Sequence, residues 1–397
     1  MLFRFSLKAL TPVLLLTTPF LSAQSADLTA SAPVRAYASL HIFQGGTDGS
    51  RPVAPLLRDP SGNLFGTTSI GGNAGWGTVF KVSASGTETV FYTFQGGNDG
   101  AQPFAGLIRD SAGNLYGTTD LGGGCPNAID GCGTIFRLSP TGHETVLHRF
   151  QGSPDGMFPF GSLVRDSAGN LYGTTTGGGA YGLGTVFKLS AAGQFTLMYN
   201  FTGGNDGTSP AGTLVRDASG NLYGTTTAGG AWGLGGVFML DTAGLITVLH
   251  SFNPDGTDGY GCWSGLVRNA AGVFFGTTIV GGRFSQGTVF AVTAGGQEKV
   301  VYNFTGGTDG GLPLGVLSVN AAGDLFGTTQ ASSDGSGTVF RIDPAGHETV
   351  LYTFSPTGTS DGATPQGGVI RDSSGNLYGT TQFGGTFNAG VVFKITP

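Results

Sequence analysis

The sequence predicts an all-β, seven-bladed β-propeller of four-stranded blades, closed by an N-terminal strand that completes the last blade. Three observations predict it. First, one stretch recurs seven times, with its central glycine at Gly66, Gly117, Gly173, Gly224, Gly276, Gly327 and Gly379, in steps of 51 to 56 residues. A fixed period of this size, with short strand-like runs inside each unit, marks a radial or stacked repeat architecture. Second, each unit holds four such runs and needs no helix. Third, the last unit supplies three strands, ending at 391–395, and its missing fourth matches residues 37–43 at the other end of the chain. A ring has a use for that permutation, whereas an open solenoid wants distinct caps.

The second unit serves as the type. Residues 105–110 read as the first strand, 115–119 as the second, 134–138 as the third and 144–150 as the fourth; all are short and rich in β-branched and aromatic residues. The link from Asp110 to Asn114 contains Gly113 and reads as a tight hairpin. Successive apolar residues such as Val79-Phe80 and Val146-Leu147 suit strands buried on both faces by neighbouring sheets. Gly117, in mid-strand, marks a bulge or a close approach of backbone.

Ahead of the repeats, Arg4 and Lys8 precede an apolar run over 9–21 and the small residues Ser22-Ala23. Residues 1–23 therefore read as a secretory signal peptide, 24–36 as a flexible N-terminal segment and 37–397 as the propeller. The apolar run is too short to span a bilayer, and no later segment approaches the roughly 20 apolar residues required. The expected location is secreted, extracellular or periplasmic, and the expected state a monomer. Without Arg4 and Lys8 the chain carries 16 basic against 24 acidic residues, a net charge of −8. That balance disfavours nucleic acid, which needs a basic stripe. With 75 glycines the composition approaches low complexity, but 39% hydrophobic residues in register argue for a packed core.

The unit GLVRDxxGNLYGTTxxGGxxxxGTVFKLxxxGxETVLYTFxGGxDGxxP resembles the GloVer tandem repeat of bacterial choice-of-anchor proteins, and its GLVRDxxGNLYG part is similar to NHL-type propeller repeats. The resemblance spans 37–397 and implies an exported bacterial protein. It brings no catalytic residue with it.

Several residues invite chemistry. Asp48, Asp99, Asp155, Asp206, Asp258, Asp309 and Asp361 each precede a glycine between units, but one carboxylate per link lacks the dense spacing of a calcium loop, and a side chain fixing its own turn explains it. Arg58, Arg109, Arg165, Arg216, Arg268 and Arg371 end the first strands beside Asp or Asn and read as repeated structural pairs. His41, His148 and His250 share a position with Tyr92, Tyr199, Tyr302 and Tyr352, as packing or surface groups would. No catalytic residue, metal ligand set or cofactor motif is assigned. Cys125 and Cys132 flank an insertion peculiar to the second unit and, in an oxidising compartment, are expected to form a disulfide. Cys262 stands alone.

The loop between second and third strands carries Trp76, Tyr181, Trp232, Phe284 and Phe387 on the same face as the links between blades. Either these rings form a binding platform for sugars or peptide side chains, or each folds back as packing. The opposite face, with its short DxxGN hairpins, leaves little room for a site. The functional expectation is an extracellular recognition module for a glycan or peptide; the alternatives are a structural or surface-layer scaffold, then a propeller lyase or hydrolase.

Overall fold

A computed structural model describes residues 35–125, 130–333, 335–355 and 360–396; the expected leader, 1–23, and residues 24–34 of the segment expected to be flexible lie outside the described residues, while Ala36, the end of that segment, already pairs as strand. Seven four-stranded antiparallel sheets follow one another. In the second blade they are Ile108–Arg109, Leu115–Thr119, Thr134–Leu138 and Glu144–Arg149. The first strand is shorter than the sequence suggests. Its upstream residues turn inward to line the axis instead of pairing, and the Gly106 N–H donates to Ser162 Oγ of the next blade at 2.9 Å. Ala36–Ile42 pairs with Val391–Thr396, Tyr37 opposite Ile395, and closes the seventh blade from the far end of the chain.

Each blade has the same internal device. The mid-strand glycine lies under a phenylalanine of the third strand: a Cβ on Gly117 would stand 2.6 Å from Phe136 Cζ. The glycine is thus a close approach rather than a bulge. The bulge falls one strand outward, between Ile135 and Phe136. A second phenylalanine, just past the outer strand, meets the third-strand ring of the following blade edge to face. Phe94 meets Phe136 at 5.1 Å, and the series runs through Phe150–Phe187 and Phe354–Phe393 to Phe43–Phe80 at 5.0 Å. These rings are fully buried. Such T-shaped pairs add about 0.5–1.5 kcal/mol each beyond burial, so the core is a circular ladder that passes through every blade.

Threonines stitch the same interfaces. Thr118 Oγ1 donates to the Pro159 carbonyl of the next blade at 3.0 Å, and Thr380 does the same to Ala54 at 3.1 Å across the point of closure. Among the described residues the first-strand arginines form no ion pair with the adjacent aspartates. Asp110 instead accepts from the Asn114 backbone and side-chain amides and from Tyr116 Oη, fixing its hairpin. Three of these guanidiniums lie over rings of the preceding blade, Arg58 over Tyr378, Arg216 over Tyr172 and Arg371 over Phe326, and Arg268 lies over Phe274 of its own blade.

Candidate functional site

Strand direction places the links between blades and the loops between second and third strands on one face, and both sets of hairpins on the other. On the link face each repeated aspartate ties its own turn. Asp99 accepts from the Gln95 N–H at 2.6 Å and from Tyr92 Oη at 2.6 Å; Asp206 accepts from Thr202 and Tyr199, and Asp309 from Thr305 and Tyr302. Where histidine replaces tyrosine, His148 Nε2 lies 2.9 Å from Asp155 and His250 Nε2 lies 2.8 Å from Asp258. Histidine and tyrosine alternate here because either can reach that carboxylate. They are neither idle packing nor surface groups.

One of these knots gathers more donors. His250, Asp258 and Glu298 bring ligand-type atoms within 4.8 Å of one another. The Glu298 carboxyl is held well above the usual carboxylate range, first by burial and then by the Asp258 charge. The same grouping recurs with tyrosine, where Glu144 feels Asp99 and Glu348 feels Asp309. The group therefore belongs to the way outer strands meet links. Cys262 is buried beside this knot, its thiol pushed up by burial and by the Asp258 and Glu298 charges. Cys125 and Cys132 are bonded, with Cα atoms 5.3 Å apart.

The five loop aromatics are all exposed, Trp76 by 38%, Phe284 by 46%, Phe387 by 57%, Trp232 by 61% and Tyr181 by 62%. They do not share one repeat position. Trp76 bridges Gly71 as Leu183 bridges Gly178 and Leu234 bridges Gly229, so it is the counterpart of those leucines. Its indole lies over Gly96 of the following link. Tyr181, Trp232, Phe284 and Phe387 sit two residues earlier, at the loop tips. Among the described residues no two of these five rings stack on each other, so they are separate contact points around the rim.

Rings do meet nearer the axis. After the link, each chain segment enters the blade through one slot at the channel mouth, filled in turn by Val53, Phe104, Phe160, Ala211, Trp263, Leu314 and Gln366. Phe104 stacks on Phe160 at 5.3 Å, and Phe160 meets Trp263 edge-on at 6.0 Å. Below them the cavity is only about 60 Å³. Ser162 and Thr213 hydroxyls accept backbone N–H groups of neighbouring blades there, and none of the lining residues carries a titratable group. The mouth can therefore present apolar faces, with Trp263 41% exposed, above a plugged channel. Phe104 and Phe160 were missed from sequence. The available signal was a variable apolar slot after the link proline in an otherwise repeated motif.

These features define a tandem-repeat β-propeller whose distinguishing surface is aromatic. The chain belongs to the Gloeobacter/Verrucomicrobia repeat family, whose profile matches residues 28–238, 127–314 and 214–397. No curated protein matches it in sequence. Among solved structures it is similar to virginiamycin B lyase from Staphylococcus aureus, at 12% identity and a TM-score of 0.59, covering 91% of this chain and 99% of that one. It is also similar to the extracellular domain of a B. thetaiotaomicron protein described as a one-component system, at 11% identity and a TM-score of 0.56, covering 90% of this chain and 39% of that one. A Bacteroides uniformis protein described as a 6-phosphogluconolactonase aligns at 16% identity and a TM-score of 0.52, over 84% and 98% of the two chains. At these identities the likeness is one of fold.

Proposed function

We propose that this propeller is an exported, monomeric recognition module whose link face binds a neutral glycan or a peptide. The observation that carries the reading is the run of three rings, Phe104, Phe160 and Trp263, at the channel mouth, surrounded by the exposed loop aromatics. Flat apolar rings with a polar edge suit the faces of sugars and the side chains of peptides. Lyase or lactonase chemistry, for which two structural neighbours are named, needs an acid or base near the substrate. The channel mouth offers rings instead. A scaffold would call for a continuous apolar patch on the outer rim. Among the described residues the exposed large apolar side chains of the outer hairpins and strands, Leu245 and Val248, are confined to blade four. The extracellular-domain neighbour fits a module that meets its ligand outside the cell.

All three tryptophans of the chain, Trp76, Trp232 and Trp263, are exposed on this face, so intrinsic fluorescence is a direct reporter. Oligosaccharides and peptides selected on arrays should shift or quench it. Phe160→Ala with Trp263→Ala should weaken binding at least about tenfold, as expected for aromatic anchors, and leave the melting temperature within a few degrees. Full binding by that double variant and by Trp76→Ala with Trp232→Ala would remove the link face from consideration.

A further inference from the structure

The hairpin face holds more room than its short turns suggest. Between blades two and three lies a cavity of about 270 Å³, and between blades six and seven one of about 230 Å³. The two are equivalent by register. In each, a third-strand arginine, Arg137 or Arg341, faces the first-strand arginine of the next blade, Arg165 or Arg371, across buried aliphatic side chains. Of the seven blades these two alone have arginine at that third-strand position; the others have Lys81, Lys188, Met239, Ala291 and Lys394.

The charges are unspent. Among the described residues Arg137, Arg165 and Arg371 make no ion pair. Arg341 bonds Asp324 at 2.8 Å, but its Nε is buried without a partner, and Arg35 adds a third cation to that cavity. Each cavity is thus lined by two positive charges in excess. The guanidiniums are also pre-positioned. Arg371 lies over the Phe326 ring at 5.8 Å, and Arg165 reaches across its hairpin so closely that a Cβ on Gly169 would stand 3.0 Å from Nη2.

We propose that each cleft binds a monocarboxylate carried on an apolar body of about one ring. Two planar forks recognise a planar carboxylate bidentately. The apolar floor rewards burial of the body and penalises a fully hydrated dianion, which would lose its water without replacement. The volumes admit a single ring or branched side chain. This reading uses the face opposite the aromatic mouth and stands independently of the function proposed there.

The probe is benzoate, titrated calorimetrically into the mature chain at physiological salt, with benzamide, acetate and inorganic phosphate in parallel. Two sites for benzoate are expected, with benzamide and acetate at least about tenfold weaker, since each lacks one half of the recognition. Arg137→Gln with Arg341→Gln removes the less exposed fork of each cleft and should reduce benzoate affinity about tenfold while the melting temperature stays within a few degrees. Arg165→Lys with Arg371→Lys keeps the charge and packing and should still weaken binding severalfold. Absence of benzoate binding, binding untouched by both pairs of substitutions, or equal binding of benzamide would overturn the proposal. Phosphate binding as tight as benzoate would reduce the clefts to a general cationic patch and overturn it equally.

Discussion

Glu88, Glu144, Glu298 and Glu348 each open an outer strand with a half-buried carboxyl whose Oε1 has no hydrogen-bond partner. Burial, and then the aspartate of the neighbouring link, raises all four, Glu88, Glu144 and Glu348 to about 7 from an ordinary 4.5. Between those values the folded chain holds a proton that the unfolded chain has released, so stability falls as pH rises through this window and levels off above it. The hairpin aspartates act in the opposite sense. Asp110, Asp166 and Asp217 are held below 3.8 by amide and tyrosine hydrogen bonds that outweigh their burial, so their contribution is lost only as pH falls below that value. The melting temperature should therefore be higher at about pH 5 than at about pH 8. Glu348→Gln should flatten that slope and raise the melting temperature at the higher pH; an unchanged slope would remove these carboxyls as its cause.

At the scale of the element, the unit of stability is the pair of phenylalanines that joins one blade to the next. Phe94 is fully buried against Phe136, so Phe94→Ala should cost about 3–5 kcal/mol, whereas Trp232→Ala on the exposed loop tip should cost under about 0.5 kcal/mol in chemical denaturation. Comparable losses from both would contradict the ladder. The second and third strands were legible in sequence because they recur seven times as short segments of aromatic and β-branched residues, buried on both faces and bounded by turn residues. The first strand was legible in place but not in length, because only two residues pair and the upstream part of the segment, at Gly106, spends its hydrogen bonds on the neighbouring blade. The link aspartates were legible as turn-fixing groups, but the histidine or tyrosine that completes each knot joins it only when the outer strand folds back beside the link. The loop aromatics were legible one by one; the different register of Trp76 emerged only from its bridge to Gly71. Phe104 and Phe160 lie one repeat apart, Trp263 follows two repeats later, and the three converge only once the ring has closed. No local pattern reports that meeting.

At the scale of the whole molecule, closure is what turns seven similar units into one cooperative body. The outer strand Ala36–Ile42 is paired along its length with Val391–Thr396, and the residue after it, Phe43, completes the aromatic ladder by meeting Phe80 of the first blade. Tyr37 adds a stacked contact with Tyr352 of the sixth blade at 4.3 Å. The strand thus touches three blades while belonging covalently to none of their hairpins. Removing residues 35–43 should strip the edge of the last sheet, unseat Phe80 and leave an aggregation-prone strand exposed. A lower melting temperature and a second unfolding phase are the expected results, since an open array loses the all-or-none transition of a closed ring. Loss of contacts alone would also destabilise the chain, so the decisive comparison is a permutant in which residues 35–43 follow residue 396 through a short glycine-rich linker. Ala36 and Thr396 are already paired, and moving the strand to the other terminus preserves every contact. Calorimetry should show the permutant unfolding in a single transition near that of the parent chain. A permutant as labile as the deletion would mean that the order of the chain, rather than closure of the ring, sets its cooperativity.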